Sequence, residues 1–284
     1  MPKGLFSKDY SASSLFGHDP ARIALFALTG LGNTTLTALK EANFAPEFVV
    51  TRAEQGPFPY YDEEPFPVLA QRLGVPCLID AEGEALLQRQ TVDVLLIATY
   101  HRILPPSLLE RARWRINLHP SLLPQYRGPN PFYWMIRNGE ARAGVSAHLV
   151  TSAIDGGDIV WSESLSITAY ETQGSLRRKL AITAARGAVV VIRDLREGKL
   201  TMTPQDESLA SNFPRVTQFD RVLRPEFAMA EADRILRACT PFPGALADGF
   251  VVVAPSGNAG ERIVRVPCAD GEIAASIATC ASLT

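Results

Sequence analysis

An asparagine and a histidine two residues apart, at the end of an otherwise apolar strand, are the first residues here that could do chemistry. They lie in INLHPSLLPQYRG, residues 116–128 of the 284-residue chain. Side chains alternate along a strand with a period of two, so Asn117 and His119 fall on one face. Pro120 lacks the N–H needed to continue a central ladder, which puts the pair at the strand's carboxyl end. Ligands of open α/β sheets bind outside that end. An amide donor beside an imidazole can hold a polar group and pass a proton. Standing alone, such a pair is more often structural than catalytic. Downstream, IDGGDI (154–159) adds Asp155 and Asp158, the latter reading as a loop or strand-edge carboxylate.

The elements that must position these residues follow from the apolar pattern. Residues 22–28 (RIALFAL) read as a buried strand, leading through TGLGN into a helix over about 34–43. Strands are expected at 48–51, near Cys77 and at 92–98, the last being apolar and β-branched throughout. Helices are expected over 68–73 and 82–89. Alternation of strands with helical segments argues for a parallel α/β sheet. Further on come the strand ending at His119, a helix near 132–138, and strands at 145–150 and 159–167. A long helix spans 173–197 with Gly198 just past its end. The stretch TMTPQDESLASNFPR is polar and proline-punctuated, as a linker would be. Beyond it a helix over 230–238 precedes PFPGA and three short β-rich stretches. The expected fold is α/β, a Rossmann-like, mostly parallel sheet over 1–205, with a small carboxyl-terminal β-rich, barrel-like domain over 206–284.

Composition narrows the function classes. Basic and acidic residues number 28 and 30, with no block of like charge, so no footprint for a large polyanion stands out. The cysteines at 77, 239, 268 and 280 form no Cys-x-x-Cys pair, so neither a metal site nor a disulfide framework is expected. The first twenty residues hold no apolar stretch long enough for a signal peptide, and no run approaches the ~20 residues of a membrane helix. A soluble, cytoplasmic protein without membrane contact is expected.

Asn117, His119, the turn Ser121-Leu122-Leu123-Pro124 and the downstream Asp155 together resemble the signature of the folate-dependent formyltransferases. That family includes enzymes acting on glycinamide ribonucleotide, on methionyl-tRNA and on nucleotide-linked amino sugars. The resemblance implies transfer of a formyl group from 10-formyltetrahydrofolate to an amine, with no metal. An amine attacking the formyl carbon leaves an oxyanion, to which Asn117 would donate its amide N–H and His119 a second hydrogen bond or a proton. Asp155 would handle the amine's proton, directly or through a water, and orient His119.

The segment Tyr100-His101-Arg102-Ile103-Leu104, following the 92–98 strand, resembles the family's pterin-binding segment. With Thr151, Ile154 and Asp155 it forms the expected donor site, although without the resemblance Ile103 and Leu104 would simply be core residues. His18, His101 and His148 receive no role. Acceptor contacts are expected from Gly30, Gly32 and Asn33, from Tyr60 and Tyr61, and from Ser121, Tyr126 and Arg127. The glycines can offer backbone N–H groups to an anion, or simply make a tight turn. The third position of a dinucleotide-type Gly-x-Gly-x-x-Gly is Thr35, which weakens a nicotinamide reading.

The region after the linker resembles the second domain of the methionyl-tRNA and amino-sugar types in its Arg-Ala…Pro-x-Pro-Gly-Ala pattern. From residue 215 onward, seven arginines face eight acids, and Glu54, Asp62, Glu63 and Glu64 occupy the loop that is basic in the methionyl-tRNA enzymes. Transfer RNA needs phosphate-neutralising charge, so a small amine is favoured and nucleic acid is not expected. A nucleotide-linked amino sugar comes first, then an amino-acid or peptide-precursor amine of siderophore type, methionyl-tRNA, or hydrolysis of formyltetrahydrofolate.

Overall fold

The computed structural model describes residues 21–53, 64–258 and 261–278. Its centre is a seven-stranded sheet in the order β3-β2-β1-β4-β5-β6-β7. The strands are β1 (Ile23–Ala27), β2 (Phe48–Thr51), β3 (Cys77–Ile79), β4 (Val92–Ala98), β5 (Ala112–His119), β6 (Arg142–Leu149) and β7 (Ile159–Ser166). The first five run parallel, while β6 and β7 are antiparallel to their neighbours. Strand order reverses between β1 and β4, the switch point at which such sheets leave a crevice.

Apolar residues on both faces explain why β1 and β4 sit centrally. Ile23, Leu25 and Ala27 join a core with α1 (Leu31–Glu41), α2 (Phe66–Arg72) and α6 (Gln173–Glu197). Ala24 and Phe26 face the opposite core, built on α3 (Asp80–Arg89) and α4 (Pro106–Leu109). Helix α1 begins three residues earlier than its sequence suggests, because Gly30 and Gly32 form its opening turn. A Cβ on Gly32 would lie 2.8 Å from that of Ala27, so the helix can start this close to β1 only with glycine there. The short α4 has no apolar periodicity to announce it; two successive prolines start it. Helix α6 ends at Gly198, whose φ of 66° provides the left-handed cap.

The α6-side core continues through α5 (Pro131–Arg137) into α7 (Met229–Ala238) and on to the carboxyl-terminal strands. These are β8 (Ala245–Ala247), β9 (Phe250–Val253), β10 (Ile263–Cys268) and β11 (Gly271–Ile277), forming an antiparallel sheet in the order β10-β11-β9-β8. The chain thus makes four short strands where the sequence suggests three. Between α6 and α7 the linker crosses back over the large sheet. It forms isolated bridges from Thr203 to Ile159 and from Asn212 to Arg127. Among the described residues no helix is long and apolar enough to cross a membrane.

Candidate active site

The large sheet's carboxyl edge acquires polar groups through simple alternation. On β5, Trp114, Ile116 and Leu118 enter the α6-side core, and on β6 so do Ala143, Val145, Ala147 and Leu149. The intervening residues therefore share the other face: Asn117 and His119 on β5, Ser146 and His148 on β6. In the antiparallel register Asn117 stands opposite His148 and His119 opposite Ser146. A register shift at Ala147/His148 bends β6 locally, a common feature beside functional sites. Ser146 Oγ accepts from Leu123 N at 3.0 Å and donates to Ser121 O at 2.8 Å, fixing the turn that follows His119.

Asp155 reaches this face from the 151–158 loop. Its Oδ1 lies 3.4 Å from Asn117 Nδ2 and 3.5 Å from His148 Nε2. Its Oδ2 accepts from Gly128 N at 2.9 Å and lies 3.6 Å from His119 Nδ1. Two glycines permit this approach. A Cβ on Gly157 would lie 1.9 Å from Leu149 O, and one on Gly128, at φ 95°, would lie 2.6 Å from Phe213 O. Thr99, Tyr126, Asn130 and Asp155 are non-glycine residues at φ 59°, 59°, 62° and 50°, spread over the three loops around the site. Such strained backbone persists only where its surroundings over-determine it.

Hydrogen bonding sets the tautomers. His148 Nδ1 faces Leu149 O at 3.0 Å and so carries the proton, leaving Nε2 to accept from Asn117 Nδ2 at 3.1 Å. Asn117 is thereby oriented with its nitrogen toward Asp155 and the cavity. His119 Nε2 lies 2.8 Å from Tyr126 O, and its Nδ1 is turned to Asp155. Burial pulls the His119 imidazole below its ordinary pKa, against the opposing effects of Asp155 and the Tyr126 carbonyl. For Asp155, burial alone would raise the pKa. His148 and His119 in their charged forms, together with the Gly128 N–H, outweigh it and hold the carboxylate well below the usual range.

Asn117, His148 and Asp155 open onto a cavity of about 400 Å³. The cavity's other walls are Ile97, the 100–104 segment, Leu109 and the 150–154 loop, with Arg215 among the lining residues. Tyr100, Arg102, Ile103, Leu104, Thr151 and Ile154 therefore all border one space with Asn117 and Asp155. Ile103 and Ile154 are 86% and 64% exposed, so neither is a core residue. Leu104 is buried and packs with α4. Tyr100 donates its hydroxyl to Asp80 Oδ1 at 2.7 Å, and Arg102 Nη1 lies 2.8 Å from Glu84 Oε1. This hydrogen bond and this ion pair tie the segment to α3.

His119 is not part of the cavity's lining; it sits behind Asp155, almost fully buried. Several residues expected at the acceptor have structural partners instead. Ser121 Oγ donates to Gln125 O at 2.7 Å within the turn. The Tyr126 ring stacks on Phe213 and its hydroxyl donates to Glu140 at 2.5 Å, away from the cavity. Arg127 binds Gln205 and Glu207 of the linker. Asn33 accepts from Gly30 N at 3.1 Å and donates to Glu64 O at 2.8 Å, so its amide closes the α1 turn. Gly30 and Gly32 border no part of this cavity. Tyr60 and Tyr61 lie outside the described residues, as do Glu54, Asp62 and Glu63; Glu64 pairs with Arg72.

His148, Gln205 and Arg215 belong to the site or its support without standing out in the sequence. The run GVSAHL did carry a signal for His148, since Gly144, Ser146 and His148 alternate with apolar residues. Gln205 and Arg215 lie in a linker without periodicity, where only folding reveals their neighbours. Among the described residues, no group of three or more His, Cys, Asp or Glu side chains is arranged to hold a metal.

The family model described as formyl transferase matches residues 42–192. The chain is 30% identical over 232 residues to the methionyl-tRNA formyltransferase of Pelotomaculum thermopropionicum, covering 79% of this chain and 74% of that one. To the methionyl-tRNA formyltransferase of Heliobacterium modesticaldum it is 33% identical over 219 residues, covering 74% and 69%. The fold superimposes on an N-formyltransferase from Helicobacter canadensis, solved with folinic acid and dTDP-3-aminofucose, with a TM-score of 0.70. That match is 15% identical and covers 90% of this chain and 99% of the other.

Proposed function

The chain belongs to the formyl transferase family, and on that premise we propose that it transfers a formyl group from 10-formyltetrahydrofolate to a small primary amine, foremost a nucleotide-linked amino sugar. The observation that carries the reading is the convergence of Asn117, His148 and Asp155 on one end of a cavity whose remaining walls are largely apolar. Its size suits a small flat ligand. Ile97, Leu104, Leu109 and Val150 would flank the pterin, and the main chain of 101–104 and 151–154 would pair with its polar edge.

The bound donor supplies the formyl carbon; the chain's own residues do the rest. Asn117 keeps one Nδ2–H on His148 and turns the other, held only at 3.4 Å from Asp155 Oδ1, to the oxygen that becomes negative as the amine attacks. A preorganised donor of this kind is commonly worth about 2.7–4 kcal/mol in the transition state. His148 holds that amide the right way round. Asp155 Oδ1 is placed to accept the amine's proton, directly or through a water, and to return it to the donor's nitrogen as the bond from that nitrogen to the formyl carbon breaks. His119, neutral through burial and with its Nδ1 turned to Oδ2, is the relay through which that proton can pass.

For the acceptor, two facts support a small molecule. From residue 215 onward seven arginines meet eight acids, a poor surface for dense phosphate. The Helicobacter canadensis neighbour was solved with a nucleotide-linked amino sugar. The second reading, methionyl-tRNA, is favoured by the two relatives of 30% and 33% identity. Glu64 counts for less against tRNA than its charge suggests, because Arg72 neutralises it.

The test offers the enzyme 10-formyltetrahydrofolate with nucleotide-linked amino sugars, amino acids or charged initiator tRNA. Formylation of a sugar amine is expected. Efficient formylation of the tRNA, declining steeply with salt, would replace the acceptor. Formate release unaffected by any amine would convert the reading to a hydrolase.

A further inference from the structure

Gln205 occupies a singular place in the linker: it is partly buried, while residues 201–204 and 206–209 on either side are exposed. Its carboxamide makes four contacts. Nε2 donates to Asp155 O at 2.8 Å and to Gly157 O at 2.7 Å. Oε1 accepts from Arg127 Nε at 3.2 Å and Nη2 at 2.7 Å. Glu207 takes the outer side of the same guanidinium, with Nη1 at 2.9 Å and Nη2 at 2.7 Å.

The two segments so joined are those that fix the Asp155–His119 pair. Residue 126 presents its carbonyl to His119 Nε2 at 2.8 Å, and residue 128 presents its N–H to Asp155 Oδ2 at 2.9 Å. Arg127 lies between them, and its side chain is tied to Gln205. On the other side, Gln205 grips the carbonyl of Asp155 itself, a residue held at φ 50°. This bond holds the Asp155 carbonyl in the orientation that the left-handed backbone gives it.

We propose that Gln205 is a positioning residue for the formyl-transfer site, by which the linker locks the Asp155 loop to the turn carrying Tyr126 and Gly128. The proposal rests on the formyl-transfer reading for its kinetic consequence, but its structural part stands apart from any substrate. Only an amide serves here. The position must donate to two carbonyls and accept from a guanidinium, and Glu could do only the second. Gln205 borders no part of the cavity, so its effect is on rate through alignment, where a displacement near 1 Å can cost about 10²-fold.

The experiment compares Gln205→Glu, Gln205→Ala and, as a control from the same linker, Asp206→Ala, whose side chain contacts only Ser208 among the described residues. Three quantities are read in each: kcat and KM for the amine, the Kd for 5-formyltetrahydrofolate, and the NMR titration of the His119 ring. Asp155 from its loop and His148 from β6 are the titratable groups nearest that ring. Gln205→Glu keeps the Arg127 pair and so preserves folding. It should lower kcat between about 10- and 100-fold with KM and Kd little changed. Its His119 midpoint should move down as Asp155 withdraws. Asp206→Ala should match the parent. A Gln205→Glu variant with kcat within about twofold of the parent and an unmoved His119 titration would overturn the proposal. If the parent itself formylates no amine, the functional reading fails, and the His119 titration alone decides whether Gln205 positions the pair.

Discussion

Asn117 and His148 face each other across the β5–β6 ladder, with Asn117 Nδ2 3.1 Å from His148 Nε2. Because His148 Nδ1 is committed to Leu149 O, Nε2 can only accept, and the Asn117 amide cannot flip without placing oxygen against a lone pair.

Asn117→Ala should therefore lower kcat by about 10²-fold or more, the scale for one lost oxyanion donor, with folate affinity nearly unchanged. His148→Leu should cost about tenfold, because the amide is then free to turn. Since His148 acts through Asn117, its cost should vanish in the Asn117→Ala background. Steady-state kinetics on the two single variants and the double variant give the coupling. Additive losses would mean that His148 also acts apart from Asn117, through Asp155 at 3.5 Å or on the substrate itself.

The fold was legible because β1, β4 and α6 satisfy periodicity, length and capping at once. The 92–98 strand and the 173–197 helix run within the same bounds in sequence and structure. The Asn117, His119 and Asp155 cluster was legible because strand alternation and Pro120 settle its place locally. Arg127 and Tyr126 were misleading for the same reason that Gln205 was invisible. Their partners are Gln205, Glu207, Glu140 and Phe213, far along the chain, and no local pattern encodes a contact over such separations.

Gly157 tests how tightly the Asp155 loop is seated. An added Cβ would lie 1.9 Å from Leu149 O, a backbone atom at the carboxyl end of β6 that cannot yield cheaply. Gly157→Ala should displace the loop, removing activity more thoroughly than global stability. Thermal unfolding within a few degrees of the parent, combined with weakened 5-formyltetrahydrofolate binding, is the expected result. Normal turnover in this variant would show that the loop's seating does not matter.

The buried imidazole gives the protein a definite pH dependence. Burial lowers the folded-state pKa of His119 from its ordinary 6.5, so the unfolded chain takes up a proton there first. Stability must then fall as pH drops below about 6.5 toward the folded value, and be unaffected by this group above it. Asp155 has the depressed carboxylate pKa; its contribution persists above the ordinary 3.8 and is lost only at lower pH, as the folded carboxylate protonates. Between pH 7.5 and 5.5 the His119 effect is thus isolated from that of Asp155. Urea unfolding at those two values should show the parent losing stability and His119→Gln losing much less. Equal slopes in the two proteins would contradict the assignment.

Arg215 supplies the sharpest test of the acceptor. It is an exposed residue that lines the same cavity, and it has no hydrogen bond or ion pair among the described residues. The cavity's other arginine, Arg102, is paired with Glu84. A lining cation without a partner among the described residues suits an acceptor bearing phosphate, since charge-assisted bonds to phosphate are among the strong ones. Arg215→Ala should raise KM for a nucleotide-linked amino sugar about tenfold while leaving kcat and the 5-formyltetrahydrofolate Kd within about twofold. The difference should shrink as salt rises, because an exposed contact is screened within about 10 Å at 0.1 M. An uncharged amino sugar should not distinguish the two proteins. If Arg215→Ala instead weakens the folate and spares the acceptor, the guanidinium serves the donor's carboxylates, and the phosphate of the acceptor must be held elsewhere.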